Sequence, residues 1–179
     1  SRAISFYGEL ENTRNEKNNY KIKSSKIDVK KYESIVNEQT LNKWLKILNE
    51  QSIISVDTET SSLNPFEADL VGVSFSYAAN KACYIPIAHK NFNGLKKELV
   101  IKKIKPILED PSIKKVGQNI KFDLAILEQN NIKINSIEDT MLISYTLDAG
   151  TNRHNLDTLS EIHLNHKTIS YKDLVGSGK

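Results

Sequence analysis

The sequence predicts a mixed α/β fold: a three-stranded antiparallel meander, then parallel strands, with helices flanking the sheet. Three observations predict it. Strand-like runs at 53–60, 70–77 and 82–87 are joined by short polar turns, so consecutive runs pair antiparallel. A stretch with helical period then leads to another strand-like run at 114–117, and a crossover helix makes that strand parallel to its neighbour. Two further helix-period stretches, 140–147 and 155–164, supply flanking layers.

The length, 179 residues, allows one domain with a full core plus a tail. Net charge is +3, but residues 1–31 hold eight Lys or Arg against four Asp or Glu, which leaves residues 32–179 at −1. A near-neutral core lacks the many phosphate-neutralising side chains needed to clamp long duplex, whereas contact with a short stretch of strand remains open. Residues 1–31 lack sustained periodicity and collect Asn, Lys, Glu and Ser, so a flexible basic linker is expected there. A single cysteine, Cys83, lies in an apolar run and reads as a small core residue, with no disulfide framework. No run reaches membrane-spanning length and none resembles a signal-peptide core, so a cytoplasmic protein without membrane contact is expected. The start at Ser1 and the end in Gly176-Ser177-Gly178-Lys179 suggest a piece of a longer polypeptide.

Taken in order, Tyr32 to Val36 can form a short edge strand. Leu41, Trp44, Leu45 and Leu48 fall at i, i+3, i+4 and i+7, one apolar helix stripe, with Thr40 the expected N-cap. Asn64-Pro65 marks a turn after the 53–60 strand, and Ala79-Asn80-Lys81 joins the next two strands. Leu95, Leu99, Ile104, Ile107 and Leu108 define the crossover helix, with a break expected near Pro106. Ile134 to Asp139 should be a short strand, with Asp139 capping the helix Thr140 to Leu147. In the last helix, from Asn155, the residues Leu156, Leu159, His163 and Leu164 form the expected inward stripe. His89, His163 and His166 lack ligand spacing and read as partly exposed structural residues.

The candidate chemistry starts at Ser55-Val56-Asp57-Thr58-Glu59-Thr60. Asp57 and Glu59 occupy alternate strand positions, so they share one face with α-carbons about 6.6 Å apart. Two acids on one face repel unless a cation lies between them, which suits an oxygen-ligand site for a hard divalent metal. A bare Asp-x-Glu also occurs at strand ends with both acids solvated. At the parallel strand the run Val116-Gly117-Gln118-Asn119-Ile120-Lys121-Phe122-Asp123 adds a third acid beside a helix start, where α/β sheets place their sites. Asn119 can cap that helix, and the positive helix end would favour ionised Asp123. Arg153 and His154 precede the last helix, where a phosphate could bind or a surface Arg could simply lie beside a cap.

Val56-Asp57-Thr58-Glu59-Thr60-Ser61-Ser62-Leu63 resembles the first exonuclease motif of bacterial family A DNA polymerases, the DNA polymerase I type, and 116–123 resembles the second. The similarity runs in register over roughly residues 32–179, through Leu70-Val71-Gly72, Tyr84-Ile85-Pro86-Ile87-Ala88-His89, Asp139-Thr140-Met141-Leu142, Arg153-His154 and His166-Lys167-Thr168-Ile169. The resemblance implies a ribonuclease H-like fold of the DEDD superfamily and a proofreading 3′-to-5′ exonuclease domain. It implies two divalent ions, Mg or Mn with Zn possible at one site, roughly 3.5–4 Å apart at the terminal phosphodiester. It implies that Asp57 bridges both ions, that Glu59 binds the nucleophile-side ion and orients its water, and that Asp123 holds the second. By the same resemblance Thr58 would touch the terminal nucleotide through its backbone and Leu63 would wedge against the last bases. Asn119 and Phe122 would shape the path of the strand, and Arg153 would approach a phosphate. The implied partners are a single-stranded or frayed 3′ end of DNA and a covalently linked polymerase domain, the chain itself being a monomer.

Two departures stand out. Phe122 occupies a position where many family members carry Tyr, which removes a hydroxyl and keeps the ring. The third motif, Tyr-x-x-x-Asp, is absent, since none of the seven tyrosines has Asp four residues later, and the His variant with Asp five residues later is absent too. In the family that motif follows the Lys167-Thr168-Ile169 stretch, so an exonuclease domain truncated before its third motif, with impaired activity, is expected. A catalytically idle structural module beside a polymerase and an RNA-trimming DEDD exonuclease are the alternatives.

Overall fold

The structure, a computed structural model, describes residues 28–89 and 94–169. They fall in two compact units, one running through residue 156 and the other from 157 onward. The linker expected over 1–31 lies outside the described residues as far as residue 27, and Val29–Lys31 form a short 3-10 turn. The backbone N–H of Asp28 donates to Asn80 Oδ1 at 2.6 Å.

In the larger unit six strands form one sheet: β1 (Glu33–Ser34), β2 (Ile53–Thr60), β3 (Leu70–Ala78), β4 (Lys81–Pro86), β5 (Lys114–Gly117) and β6 (Ile137–Asp139), in the order β1-β4-β3-β2-β5-β6. β2, β3 and β4 are the expected antiparallel meander, and β5 joins β2 in parallel after a crossover. The Tyr32 to Val36 strand shortens to two residues paired parallel to β4 at the sheet edge. The helices are α1 (Glu38–Asn49), α2 (Lys97–Glu109), α3 (Lys121–Gln129), α4 (Thr140–Asp148) and, almost wholly in the smaller unit, α5 (Leu156–Leu164).

Alternation along β2 buries Ile54, Val56 and Thr58 and turns Ser55, Asp57 and Glu59 outward. The buried set meets Phe75, Cys83 and Ile85 from the meander, Leu41, Trp44 and Leu48 from α1, and Val100, Ile104 and Leu108 from α2 in one core. Each such aliphatic side chain contributes roughly 1.5–3 kcal/mol through burial. Burial pushes the Cys83 thiol up to about 12, as suits an unreactive core residue.

Four expectations are corrected. Asn37, not Thr40, caps α1: its backbone is extended and its Oδ1 accepts from the Thr40 N–H at 2.9 Å, so Thr40 lies one turn inside. The crossover helix does not break at Pro106, because the proline removes one backbone donor near the last turn while Ile104, Ile107 and Leu108 anchor both sides of it in the core. Of the stripe expected on α5 only Leu159 is buried; Leu156 and Leu164 are exposed, since periodicity marks a face able to be covered without supplying its cover. Asn119 does not cap α3, as described below. No helix among the described residues is long and apolar enough to cross a membrane.

Candidate active site

β5 pairs with β2 only as far as Ser55, so beyond that point the β5-side edge of β2 has no strand partner. The first turn of α3, which packs against β2, fills the gap. Asp123 is buried, and its Oδ1 accepts from the Thr58 backbone N–H at 2.8 Å and from Thr58 Oγ1 at 2.6 Å. The carboxylate thus satisfies an edge donor that would otherwise be orphaned beneath the helix. At the same end of β2 the register with β3 shifts between Glu59 and Thr60, the kind of irregularity that re-aims side chains next to sites.

Asp57 senses the charges of the other two acids. Asp57 presents open surface, yet its carboxyl is pushed up to about 6, first by burial and then by the charges of Asp123 and Glu59. Asp123 is also raised, mainly by burial, with the Thr58 hydrogen bonds opposing the shift. The helix end therefore does not favour its ionised form overall, as the sequence had suggested: desolvation outweighs it. Among the described residues no three His, Cys, Asp or Glu side chains converge closely enough to hold an ion as they stand. The donor set nevertheless fits a hard divalent ion, because it is all carboxylate oxygen and its mutual repulsion is what a cation would relieve.

Other expected residues fall as follows. Asn119 has φ 58, the left-handed region, instead of the extended backbone of an N-cap. Asp139 takes over the capping: its oxygens accept from the backbone N–H groups of Asn119 and Ile120, each at 3.0 Å, and from Met141 N–H at 2.9 Å. Asp139 therefore caps α4 as expected and covers the start of α3 as well. Phe122 is partly buried and packs against the core. Leu63 is 94% exposed on the loop after β2. Arg153 is exposed and lines an open cavity of about 500 Å³ with Met141, Leu142, Tyr145, His154 and Asn155, which none of the three acids lines.

Two features escaped the sequence reading. Phe66, 86% exposed, shares the loop of Leu63. The Tyr84 ring crosses Gly72 so closely that a β-carbon there would lie 2.0 Å from Tyr84 Oη. The signal for the second was available, since an isolated Gly inside a strand marks a bulge or a close approach.

The model of the family described as 3'-5' exonuclease matches residues 32–179. DNA polymerase I of Rhizobium leguminosarum is 39% identical over 168 residues, 83% of this chain and 16% of that protein. Among solved structures, the catalytic core of RRP6 from Trypanosoma brucei superposes with a TM-score of 0.66 at 16% identity, covering 80% of this chain and 37% of that one. Brucella melitensis NrnC with bound Mg2+ gives a TM-score of 0.58 at 22% identity, covering 83% and 68%. These structures share the fold, a mixed α/β sheet of ribonuclease H-like architecture. The chain belongs to the 3'-5' exonuclease family, as the domain that DNA polymerase I carries, and spans about one sixth of the length of the curated relative it matches.

Proposed function

We propose that this domain removes nucleotides from the 3′ end of DNA by hydrolysing the terminal phosphodiester, as the proofreading module of a polymerase. The observation that carries the reading is the gathering of three carboxylates at one end of β2, with Asp57 and Glu59 outward on the strand and Asp123 hydrogen-bonded to the intervening Thr58. Asp57, Glu59 and Asp123 would hold two divalent ions, Mg or Mn with Zn possible at one position. The Mg2+ seen in the Brucella melitensis structure of like fold supports that choice. When bound, the ions supply an activated water and neutralise charge on the phosphate and the leaving 3′ oxygen.

The chain's own residues hold the frame. Thr58 fixes Asp123 through N–H and hydroxyl, and its backbone would touch the terminal nucleotide. Leu63 would press against the last bases, Asn119 and Phe122 would border the strand, and Arg153 would meet a phosphate further along. The substrate is a single-stranded or frayed end, the working context is a longer cytoplasmic polypeptide with a linked polymerase domain, and the domain acts as a monomer. Without a Tyr-x-x-x-Asp, the 179-residue chain should bind ions weakly at the nucleophile side and cut slowly or not at all.

The test is degradation of 5′-labelled single-stranded DNA with Mg²⁺, comparing this chain with one extended through the third motif. The extended chain is expected to shorten the strand from its 3′ end, and Asp57→Ala to stop it. Activity surviving Asp57→Ala would overturn the assignment.

A further inference from the structure

Pairing across the meander places Asp57, Ser74 and Tyr84 in one row, and Glu59, Gly72 and Pro86 in the next. Directly paired residues share a face, with β-carbons roughly 4.5–5.5 Å apart. Tyr84 does not stay in its own row. Its ring leans across to Gly72, where an added β-carbon would lie 2.0 Å from Oη, 2.4 Å from Cζ and 2.5 Å from Cε2. The hydroxyl thus occupies the space a side chain opposite Glu59 would fill, within about 7 Å of the Glu59 β-carbon and inside the reach of its carboxylate. A second group holds it there: Tyr84 Oη and His89 Nε2 are 2.7 Å apart, with the rings edge to face at 5.9 Å. Consistent with this proximity, the Tyr84 hydroxyl is raised, by burial first and by the Glu59 charge second.

We propose that Tyr84 is a further positioning residue of the hydrolytic site, its hydroxyl donating to the Glu59 carboxylate while His89 donates to the Tyr84 oxygen. The inference rests on the exonuclease reading above and adds to it. A phenol has one proton to give, so if His89 Nε2 carries its own proton and donates, the Tyr84 O–H is aimed outward at the acid. One Glu59 oxygen is then fixed by Tyr84, which leaves the other for an ion. Gly72 is the enabling residue, since any larger side chain would occupy the hydroxyl's place.

The test uses the polypeptide extended through the third motif, measuring removal of the 3′-terminal nucleotide from labelled single-stranded DNA and, separately, Mn²⁺ affinity by calorimetry. Tyr84→Phe keeps the ring and its packing and is expected to lower kcat about tenfold with KM nearly unchanged. It should weaken Mn²⁺ binding severalfold and leave the melting temperature in place. His89→Ala should give a smaller loss of the same kind, and Gly72→Ala, which drives the ring aside, a loss at least as large as Tyr84→Phe. Wild-type kcat and Mn²⁺ affinity in Tyr84→Phe would overturn this inference alone, as would a loss that follows a lowered melting temperature. A wild-type polypeptide that neither binds Mn²⁺ nor cuts DNA would overturn the exonuclease reading and this inference together.

Discussion

Asp123 and Asp139 are both buried aspartates at helix starts, yet their hydrogen-bond surroundings differ. Asp139 accepts from three backbone N–H groups that tie α3 and α4 together. Asp123 has the two Thr58 donors on one oxygen and lies close enough to Asp57 for the charges to repel. The lesson is that burial alone does not mark a functional acid. A carboxylate surrounded by helix donors closes the structure even though its charge also bears on Asp123, whereas Asp57 and Asp123, with fewer donors to offset their neighbours, leave a charge imbalance that a cation would settle.

Substitutions break that comparison most sharply. Asp139→Ala would orphan three backbone donors at once and should cost about 2–4 kcal/mol, lowering the melting temperature by roughly 5–15 °C. Asp123→Asn keeps an acceptor for Thr58 and removes a like charge beside Asp57, so the metal-free chain should melt no lower at pH 7, while the extended polypeptide loses most of its nuclease rate. Equal destabilisation by the two substitutions would show that both acids are structural.

A pH series sharpens the same contrast with a smaller effect. The Asp57 carboxyl stands near 6 in the fold against an ordinary 3.8, so folding favours its protonated form. That stabilisation is complete below about pH 3.8 and is lost as the pH rises through about 6; Asp123, also raised, acts in the same direction. The metal-free chain should therefore lose melting temperature across this window relative to Asp57→Asn. Mn²⁺ should bind more tightly over the same window as the competing proton leaves, then level off. Mn²⁺ affinity independent of pH between 5 and 7 would contradict the assignment of Asp57 as a ligand.

What the sequence made legible follows from the range of each signal. Alternation along β2 and the turn at Asn64-Pro65 are local, and they located the outward Asp57 and Glu59 correctly. Order and connection length were enough for the meander and the parallel crossover. Capping was misread where the partner came from far away: Asn119 looked like a cap by position, but Asp139, twenty residues later, supplies the acceptor. Lys115 makes the same point within a strand. It is fully buried, with Nζ donating to the carbonyls of Asp110 and Ile113, and desolvation lowers its pKa, none of which its charge would suggest. Tyr84 was unreadable as a neighbour of Glu59, because their nearness passes through Gly72 and the register of two hairpins.

The smallest effect expected is at Leu63, where the structure removes one competing explanation. A leucine buried in the turn after β2 would serve stability, but Leu63 is 94% exposed. Its loop is nevertheless held: Ser61 N–H donates to the Asp69 carbonyl and Asp69 N–H to Ser61 Oγ at the neck. At the tip Asn64 Oδ1 accepts from Phe66 N–H, and Gln129 Nε2 of α3 donates to the Pro65 carbonyl at 2.6 Å. An apolar side chain presented on a pinned loop next to the acids suits a wedge against the terminal base. A wedge favours an end already unpaired, because a mismatched base costs less to separate, and it needs no base-specific contact. In the extended polypeptide, Leu63→Ala should slow nucleotide removal roughly three- to tenfold. It should also reduce the preference for a 3′-mismatched over a matched duplex. Melting temperature should hold because the side chain buries little, and Mn²⁺ affinity should hold because it offers no ligand oxygen. A lowered melting temperature with unchanged mismatch preference would return Leu63 to a structural role.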